Sequence, residues 1–591
     1  MLFNSAVCYN YLRMRKLLKY LRHYKVQSVL APLFKLLEAS FELIVPLVVS
    51  AIINEIDGGS KNAGYVVYAC LILVALGVVG LISAVAAQYF AAKAAVGFSK
   101  ELRHDLFDKM QTLSYADIDG LGTGKMITRM TSDVNQVQSG INLVLRLFMR
   151  SPFIVFGAML MAFLINATAG GIFAVSIAVL CTVVFAIMLV SIPLYKKVQG
   201  NLDGVTVATR ETLTGARVLR AFCKEESEIE QYNAKNAELT KSQLFVGKIS
   251  ALMNPLTYAI INAAIIVLLY SGAVKFDAGV LDRGQVVALY NYMSQILIEL
   301  IKLANLIITV TKSFACAGRI NEILEMQPSI KGGTRQTELK DALPPFIEYR
   351  NVAVNYSNSP VNALEGVSFQ VERGETVGII GGTGAGKTTL VNVLPHFYDV
   401  SQGEVLINGE NVNTYGDERL REVCGIVPQK AVLFEGTVRD NMQWGKTDAT
   451  DEEIAEAIKT AQAADVIKSK KDGLDEKVEQ GGKNFSGGQR QRLTIARALV
   501  KKPQILILDD SASALDYATD ARLRQSLKNL DYSPTVFIVS QRTSSIRHAD
   551  KIIVLDGGKV AGVGTHDYLL ENNEIYREIH FSQYKKESAN G

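Results

Sequence analysis

Six long apolar runs occupy the first 315 or so residues of this 591-residue chain, at about 26–54, 64–93, 139–165, 167–193, 248–274 and 284–312. A helix needs about 20 mostly apolar residues to cross the hydrocarbon layer, and in lipid every backbone N–H and C=O must be satisfied within the spanning element. Six membrane-spanning helices in a lipid bilayer are therefore expected, the third and fourth joined by a tight turn at Asn166-Ala167. The connections 94–138 and 194–247 are rich in Lys and Arg, among them Lys100, Arg103, Lys125, Arg129, Lys196, Arg210 and Arg217, whereas 55–63 and 275–283 hold few. The positive-inside rule puts the long connections, the N-terminus and the C-terminal half in the cytoplasm, as in a multi-pass protein of the inner (cytoplasmic) membrane. Residues 1–25, with Arg13, Arg15, Lys16, Lys19 and Arg22 set among Tyr11, Leu12, Leu17 and Leu18, read as a basic amphipathic elbow helix on the membrane surface.

Some spans carry charge: Lys35, Glu38 and Glu42 in the first, Arg146 and Arg150 in the third, Glu299 and Lys302 in the sixth. Ionisable residues within a membrane face a cavity or one another. Glu38 and Glu42, four apart, share a helix face and are expected either to line a pathway or to pair with neighbours. Arg146 and Arg150 are expected nearer the cytoplasmic end.

The transmembrane unit is expected over 26–324. Residues 325–345, with Lys331-Gly332-Gly333 and Pro344-Pro345, read as a polar linker. From 346 to 591 short strand-like runs (346–349, 367–371, 376–380, 404–407, 425–427, 505–508, 535–539 and 551–555) alternate with helical segments, which predicts an α/β domain with a largely parallel sheet. The run at 376–380 leads into Gly381-Gly382-Thr383-Gly384-Ala385-Gly386-Lys387-Thr388-Thr389, and a helical pattern follows. Strand, glycine loop and helix N-terminus make a phosphate cradle: glycines let backbone N–H groups converge, and the helix end adds positive potential. Lys387 is placed to reach the β- and γ-phosphates of a nucleoside triphosphate, and the Thr388 hydroxyl to sit on Mg²⁺. A net charge of +4 gives no case for nucleic-acid binding, and six scattered cysteines without a C-x-x-C argue against zinc or a disulfide framework.

Further on, Phe485-Ser486-Gly487-Gly488-Gln489, followed by Arg490-Gln491-Arg492, resembles the signature of the ATP-binding cassette (ABC) family. Together with the phosphate loop and six preceding spans, it makes the whole chain resemble an exporter-type half-transporter: a membrane α-helical bundle fused to an α/β P-loop NTPase. The resemblance implies ATP and Mg²⁺ as ligands and a head-to-tail pair of cassettes, with Ser486, Gly487, Gly488 and Gln489 meeting the γ-phosphate held by the other cassette. It implies that Tyr356 stacks on adenine and that Asp509, ending an apolar strand, supports Mg²⁺ through water. Gln429 would contact the metal and the attacking water, and Asp516 would lie in the D-loop that crosses to the partner. Residues 117–129 and 211–222 resemble the two coupling elements of the intracellular loops.

Two positions depart from the family pattern. Asp510 stands where a glutamate polarises the hydrolytic water, and Gln541 stands where the switch histidine is expected. Asp is one methylene shorter, which moves its oxygens by about 1 Å, and misplacement of that size can cost about 10²-fold. An amide can donate to a γ-phosphate but takes up no proton near neutral pH. Gln480, where exporters often carry a glutamate, is a smaller departure. The combination resembles the degenerate-site subunit of heterodimeric bacterial multidrug exporters, whose own site holds ATP while its signature completes the partner's competent site. Small amphipathic compounds are the cargo this implies. The alternatives are a homodimeric lipid or peptide exporter with two slow sites, and an ATP-binding regulatory or channel-like subunit.

Overall fold

The computed structural model describes residues 16–57, 63–330, 332–333, 345–356 and 360–583, which form two compact units. The first comprises 1–111 and 124–326; the second comprises 112–123 and 327–591. The expected elbow residues Tyr11, Leu12, Arg13 and Arg15, and residues 331 and 334–344 of the expected linker, lie outside the described residues.

Among the described residues of the first unit six helices are long and apolar enough to cross a membrane: Leu18–Asp57, Ala63–Gln111, Thr123–Ile165, Ala167–Thr214, Glu225–Asp277 and Arg283–Glu325. Each overlaps a predicted span but runs on well past it. The second has 49 residues and the fourth 48, about 70 Å at 1.5 Å per residue, against about 45 Å for a whole bilayer. The apolar pattern ends where lipid would end, yet helix propensity persists in the Lys- and Glu-rich extensions. The long connections therefore shrink to short turns. There is no break at residue 25: Leu18–Tyr24 winds as a 3-10 turn directly into the first span. Between the third and fourth spans Asn166 is extended and its side-chain oxygen accepts the Thr168 N–H at 3.0 Å, capping the next helix. The helices pack closely where small residues allow it. A side chain at Gly284 would meet the Ser50 carbonyl at 2.1 Å, and the Gly284 N–H instead donates to Asn54 Oδ1 at 2.8 Å.

The charged span residues pair with one another. Arg150 Nη1 donates to Glu299 Oε1 at 2.5 Å and its Nη2 to Glu42 Oε2 at 2.6 Å. Ser151 and Lys302 complete the Glu299 shell at 2.8 and 2.7 Å, and Lys35 holds Glu38 at 2.5 Å. Three cations face three carboxylates across the first, third and sixth spans. Of the two expectations for Glu38 and Glu42, pairing is the one observed. Arg150 is buried among these partners, 6% exposed. A second tie joins the third and sixth spans, where Arg319 chelates Asp133 at the end of a π-helical turn, Arg129–Asp133.

The described residues of the second unit form twelve strands: β1 (Ile347–Val354), β2 (Leu364–Val371), β3 (Thr376–Gly381), β4 (Gln402–Ile407), β5 (Glu410–Asn411), β6 (Cys424–Val427), β7 (Gly436–Thr437), β8 (Lys477–Val478), β9 (Ile505–Asp509), β10 (Thr535–Val539), β11 (Lys551–Asp556) and β12 (Lys559–Gly564). The main sheet has the order β12-β11-β3-β10-β9-β6, parallel except for β12. Its central strands are buried throughout, as continuous Ile/Val/Leu runs require when both faces are covered. An antiparallel sheet, β2-β1-β4-β5, forms a second layer and shares with one face of the main sheet a core that includes Tyr349 and Phe369 stacked 4.3 Å apart.

Residues 112–123 were expected within the transmembrane unit but belong to this second one. Ser114 and Asp117 form a capping box that starts the helix Tyr115–Leu121. Asp117 also accepts the Ser329 N–H at 3.0 Å, Asp119 accepts the Tyr398 hydroxyl at 2.7 Å, and the Tyr115 ring lies 4.4 Å from that of Phe397. Burial works against the Asp117 charge, but these hydrogen bonds outweigh it and hold the carboxyl below the ordinary range.

Candidate nucleotide site

The C-terminal ends of β3, β9 and β10 meet at one edge of the main sheet, and the loops that leave them carry the predicted residues. Two glycines of the loop after β3 need left-handed backbone: Gly384 has φ +82° and Gly386 φ +90°. At Gly386 a side chain would also meet the Ala363 carbonyl at 2.5 Å, so that position admits only glycine on two counts. The turn releases the chain into the helix Lys387–Val393, with Thr388 and Thr389 in its first turn. Gly381 closes β3, and Gly382, Thr383 and Ala385 complete the loop, with the Ala385 N–H donating to the Gly382 carbonyl at 3.2 Å.

Lys387 is 9% exposed and donates to the carbonyls of Gly381 at 2.9 Å and Gly382 at 2.7 Å. Burial lowers its pKa, opposed by the charges of Asp510 and Asp509. Thr388 Oγ1 donates to Asp509 Oδ1 at 3.2 Å. Burial raises the pKa of Asp509, and the charge of Asp510 raises it further. Asp510 is likewise raised by burial. It has left-handed backbone, φ +46°, a region that aspartate tolerates better than most residues, and its N–H donates to the Val539 carbonyl at 3.0 Å. Gln429 Nε2 stands 3.5 Å from Asp510 Oδ2, at the outer limit of a hydrogen bond. Tyr356 reaches the same loop: its hydroxyl shares a 2.9 Å hydrogen bond with Thr389 Oγ1, and its ring meets Tyr398 edge-on at 5.1 Å.

Phosphate loop, Thr388, Asp509, Asp510, Gln429 and Tyr356 are thus gathered in one place. Gln541 follows β10 on the loop next to this edge, with its side chain exposed. The signature residues form a separate group. Ser486 Oγ accepts the Gln489 N–H at 3.3 Å and Gln489 Oε1 accepts the Ser486 N–H at 2.9 Å, a capping box that opens the helix Gly487–Val500. Because Ser486 Oγ is the acceptor there, its O–H proton stays available to a ligand. A side chain at Gly488 would meet the Ala514 carbonyl at 3.0 Å, while one at Gly487 would meet open space. Asp516 caps the helix Tyr517–Lys528, accepting from the Thr519 N–H and hydroxyl, both at 2.8 Å.

Sequence reasoning missed Arg542. Its guanidinium donates to the carbonyls of Ala512, Leu515 and Ser513 at 3.2–3.3 Å and lies 4.9 Å over the Tyr517 ring. It ties the loop after β10 to the segment before Asp516. Its only local signal was its place next to Gln541.

For Mg²⁺ the donor set fits. Thr388 and Asp509 present hard oxygens together, and Mg²⁺ is held by one or two carboxylates with phosphate oxygens and water rather than by an all-protein cage. No group of three or more His, Cys, Asp or Glu suited to a metal occurs among the described residues.

Residues 28–300 match the family described as the ABC transporter transmembrane region, and residues 364–513 match the family described as ABC transporter. The chain is similar to an uncharacterized ABC transporter ATP-binding protein of Mycobacterium tuberculosis, 33% identical over 97% of this chain and 98% of that one. It is also similar to the putative multidrug export ATP-binding/permease protein YgaD of Bacillus subtilis, 30% identical over 96% and 98%. The structure of a bacterial Atm1-family ABC exporter with ATP bound superposes with a TM-score of 0.80 over 95% of this chain and 99% of that one, at 24% identity, a likeness of fold. With six apolar helices in one unit and a phosphate loop on a parallel sheet in the other, this chain belongs to the ABC transporter family, as a half-transporter that joins one transmembrane region to one ATP-binding cassette.

Proposed function

We propose that the chain is the degenerate-site subunit of a heterodimeric ABC exporter that carries amphipathic compounds out of the cytoplasm. One observation carries the reading: Asp510 and Gln541 occupy the two positions of the site where hydrolysis needs a glutamate and a histidine. The residues that bind rather than cleave are all present. Lys387 would exchange its two carbonyl partners for the β- and γ-phosphates, a stronger, charge-assisted interaction. Tyr356 would support adenine. Thr388, Asp509 and Gln429 would hold Mg²⁺, which when bound neutralises phosphate charge. Asp510, one methylene short, would leave the water poorly aligned, and Gln541 would donate to the γ-phosphate without taking a proton.

The signature group supports the second half of the reading. Ser486, with its hydroxyl proton free, and the open approach at Gly487 suit a nucleotide brought by another cassette, as does Asp516 at the neighbouring helix start. On the hairpin between the fourth and fifth spans, Leu213 and Phe222 are 73% and 71% exposed, which suits a surface that a partner covers. Similarity to a putative multidrug export protein favours amphipathic cargo.

The test is ATP hydrolysis by the chain purified alone and with a co-expressed second half-transporter, each beside the double variant Asp510→Glu/Gln541→His. The expected result is near-silence alone, activity in the pair, and added activity on restoration. Brisk hydrolysis by the chain alone, unchanged by restoration, would mean a working homodimer.

A further inference from the structure

The loop that carries Gln541 has an anchor far away in sequence. On one side the Ser540 N–H donates to the Ile379 carbonyl at 3.0 Å, and the Arg542 N–H to Ser540 Oγ at 2.9 Å. On the other side stands the last described residue of the final helix, Glu574–Gln583. Gln583 Nε2 donates to the Gln541 carbonyl at 2.7 Å, and Gln583 Oε1 accepts the Thr543 N–H at 2.9 Å. One side-chain amide thus reads both backbone groups across the loop, as a neighbouring strand would. His580, one turn earlier, stands 3.3 Å from Thr543 Oγ1.

The helix that presents Gln583 is itself fixed. Tyr576 is fully buried and its hydroxyl bonds His566 Nδ1 at 2.8 Å, while the Tyr576 N–H donates to Asn573 Oδ1 at 2.8 Å. Arg577 donates to the carbonyls of Leu570 at 3.0 Å and Glu571 at 2.7 Å. Among the described residues the only hydrogen bond at Gln541 is the one its carbonyl accepts from Gln583, a contact made to the loop backbone.

We propose that Gln583 is a positioning residue: it sets the loop so that residue 541 meets the γ-phosphate. The inference rests on the reading of the 381–389 and 541 region as an ATP site. The chemistry demands an amide. The Gln541 carbonyl needs a donor and the Thr543 N–H needs an acceptor; glutamine has one of each, glutamate has only acceptors and leucine has neither. Because the loop reports on the third phosphate alone, its loss should weaken ATP and spare ADP.

The experiment measures ATP and ADP affinity and the thermal midpoint of the full chain in lipid nanodiscs, with Gln583→Leu, Gln583→Glu and Gln541→Ala. All three should weaken ATP about tenfold, the scale of one net hydrogen bond, and leave ADP affinity unchanged. The thermal midpoint should hold in the Gln583 variants. If Gln541→Ala lowers ATP affinity while Gln583→Leu and Gln583→Glu do not, the positioning role is overturned and the site stands. Equal weakening of ATP and ADP, or a fallen midpoint in both Gln583 variants, would make Gln583 merely structural, which also overturns it. If Gln541→Ala itself leaves ATP-over-ADP preference intact, the site reading fails first.

Discussion

In the transmembrane unit Arg150 gives its two terminal nitrogens to Glu299 and Glu42, and Glu299 is further held by Lys302 and Ser151. In the cassette Lys387, buried to a similar degree, has among the described residues only the carbonyls of Gly381 and Gly382 as hydrogen-bond partners, while Asp509 and Asp510 crowd each other nearby. The first cluster balances three cations against three carboxylates. The second is strained in both signs: burial lowers its lysine and raises its two aspartates. A network whose charges are paired with one another acts as a tie between helices. An open one pays for its exposure to low dielectric until a polyanion and its metal arrive, and that unspent interaction is what makes a binding site.

Breaking the closed network should have the largest effect. Arg150→Met leaves Glu42 and part of Glu299 uncompensated, and the full chain should lose about 3 kcal/mol or more in unfolding measurements. Combining it with Glu42→Gln and Glu299→Gln should recover much of that loss. If the single variant is as stable as the parent, the network is not a tie. Lys387→Met should behave in the opposite way. Nucleotide binding, read by fluorescent ATP, should fall about 10²–10³-fold with no loss of ligand-free stability.

The aspartates sharpen the contrast through pH. Their folded pKa values are raised, so in the ligand-free cassette they contribute stability below the ordinary carboxylate range, and that contribution is lost as pH rises through the raised values. Asp509→Asn should therefore slow hydrogen exchange at β9 near neutral pH and flatten its pH dependence, while removing the gain from added Mg²⁺ and ATP. Exchange that is faster in the variant would contradict the account. The smallest effect belongs to Tyr398→Phe, which removes the hydroxyl bound to Asp119 and should cost about 1.5 kcal/mol, seen as faster exchange across Tyr115–Leu121.

The two clusters also differ in how far the sequence disclosed them. Gly381 to Thr389 are contiguous, lie between an apolar strand and a helix, and draw their meaning from backbone geometry that glycine spacing encodes locally. The spans were legible for a similar reason, since twenty apolar residues have few other uses. Their exact ends were not, although the long basic connections were consistent with helices projecting well past the bilayer, because Lys- and Glu-rich extensions are good helix formers without an apolar signature. Arg150 and Glu299 are separated by 149 residues and Gln541 and Gln583 by 42, so no periodicity links either pair. The capping box at Ser114 and Asp117 starts the helix Tyr115–Leu121 from local contacts. That this helix lies with the cassette depends on Ser329, Phe397 and Tyr398, all distant in the chain.

Because 112–123 belongs to a unit whose remaining residues begin at 327, the cassette is made in two instalments. Asp119 leaves the ribosome 279 residues before the tyrosine that binds it, on the order of half a minute at about 10 residues per second. Throughout that interval the nascent loop holds Tyr115, Asp117 and Asp119 without their final neighbours, while four more spans enter the membrane. Phe397 and Tyr398 then supply the ring contact to Tyr115 and the hydrogen bond to Asp119, so a chain stalled or truncated before them lacks the contacts that seat this helix.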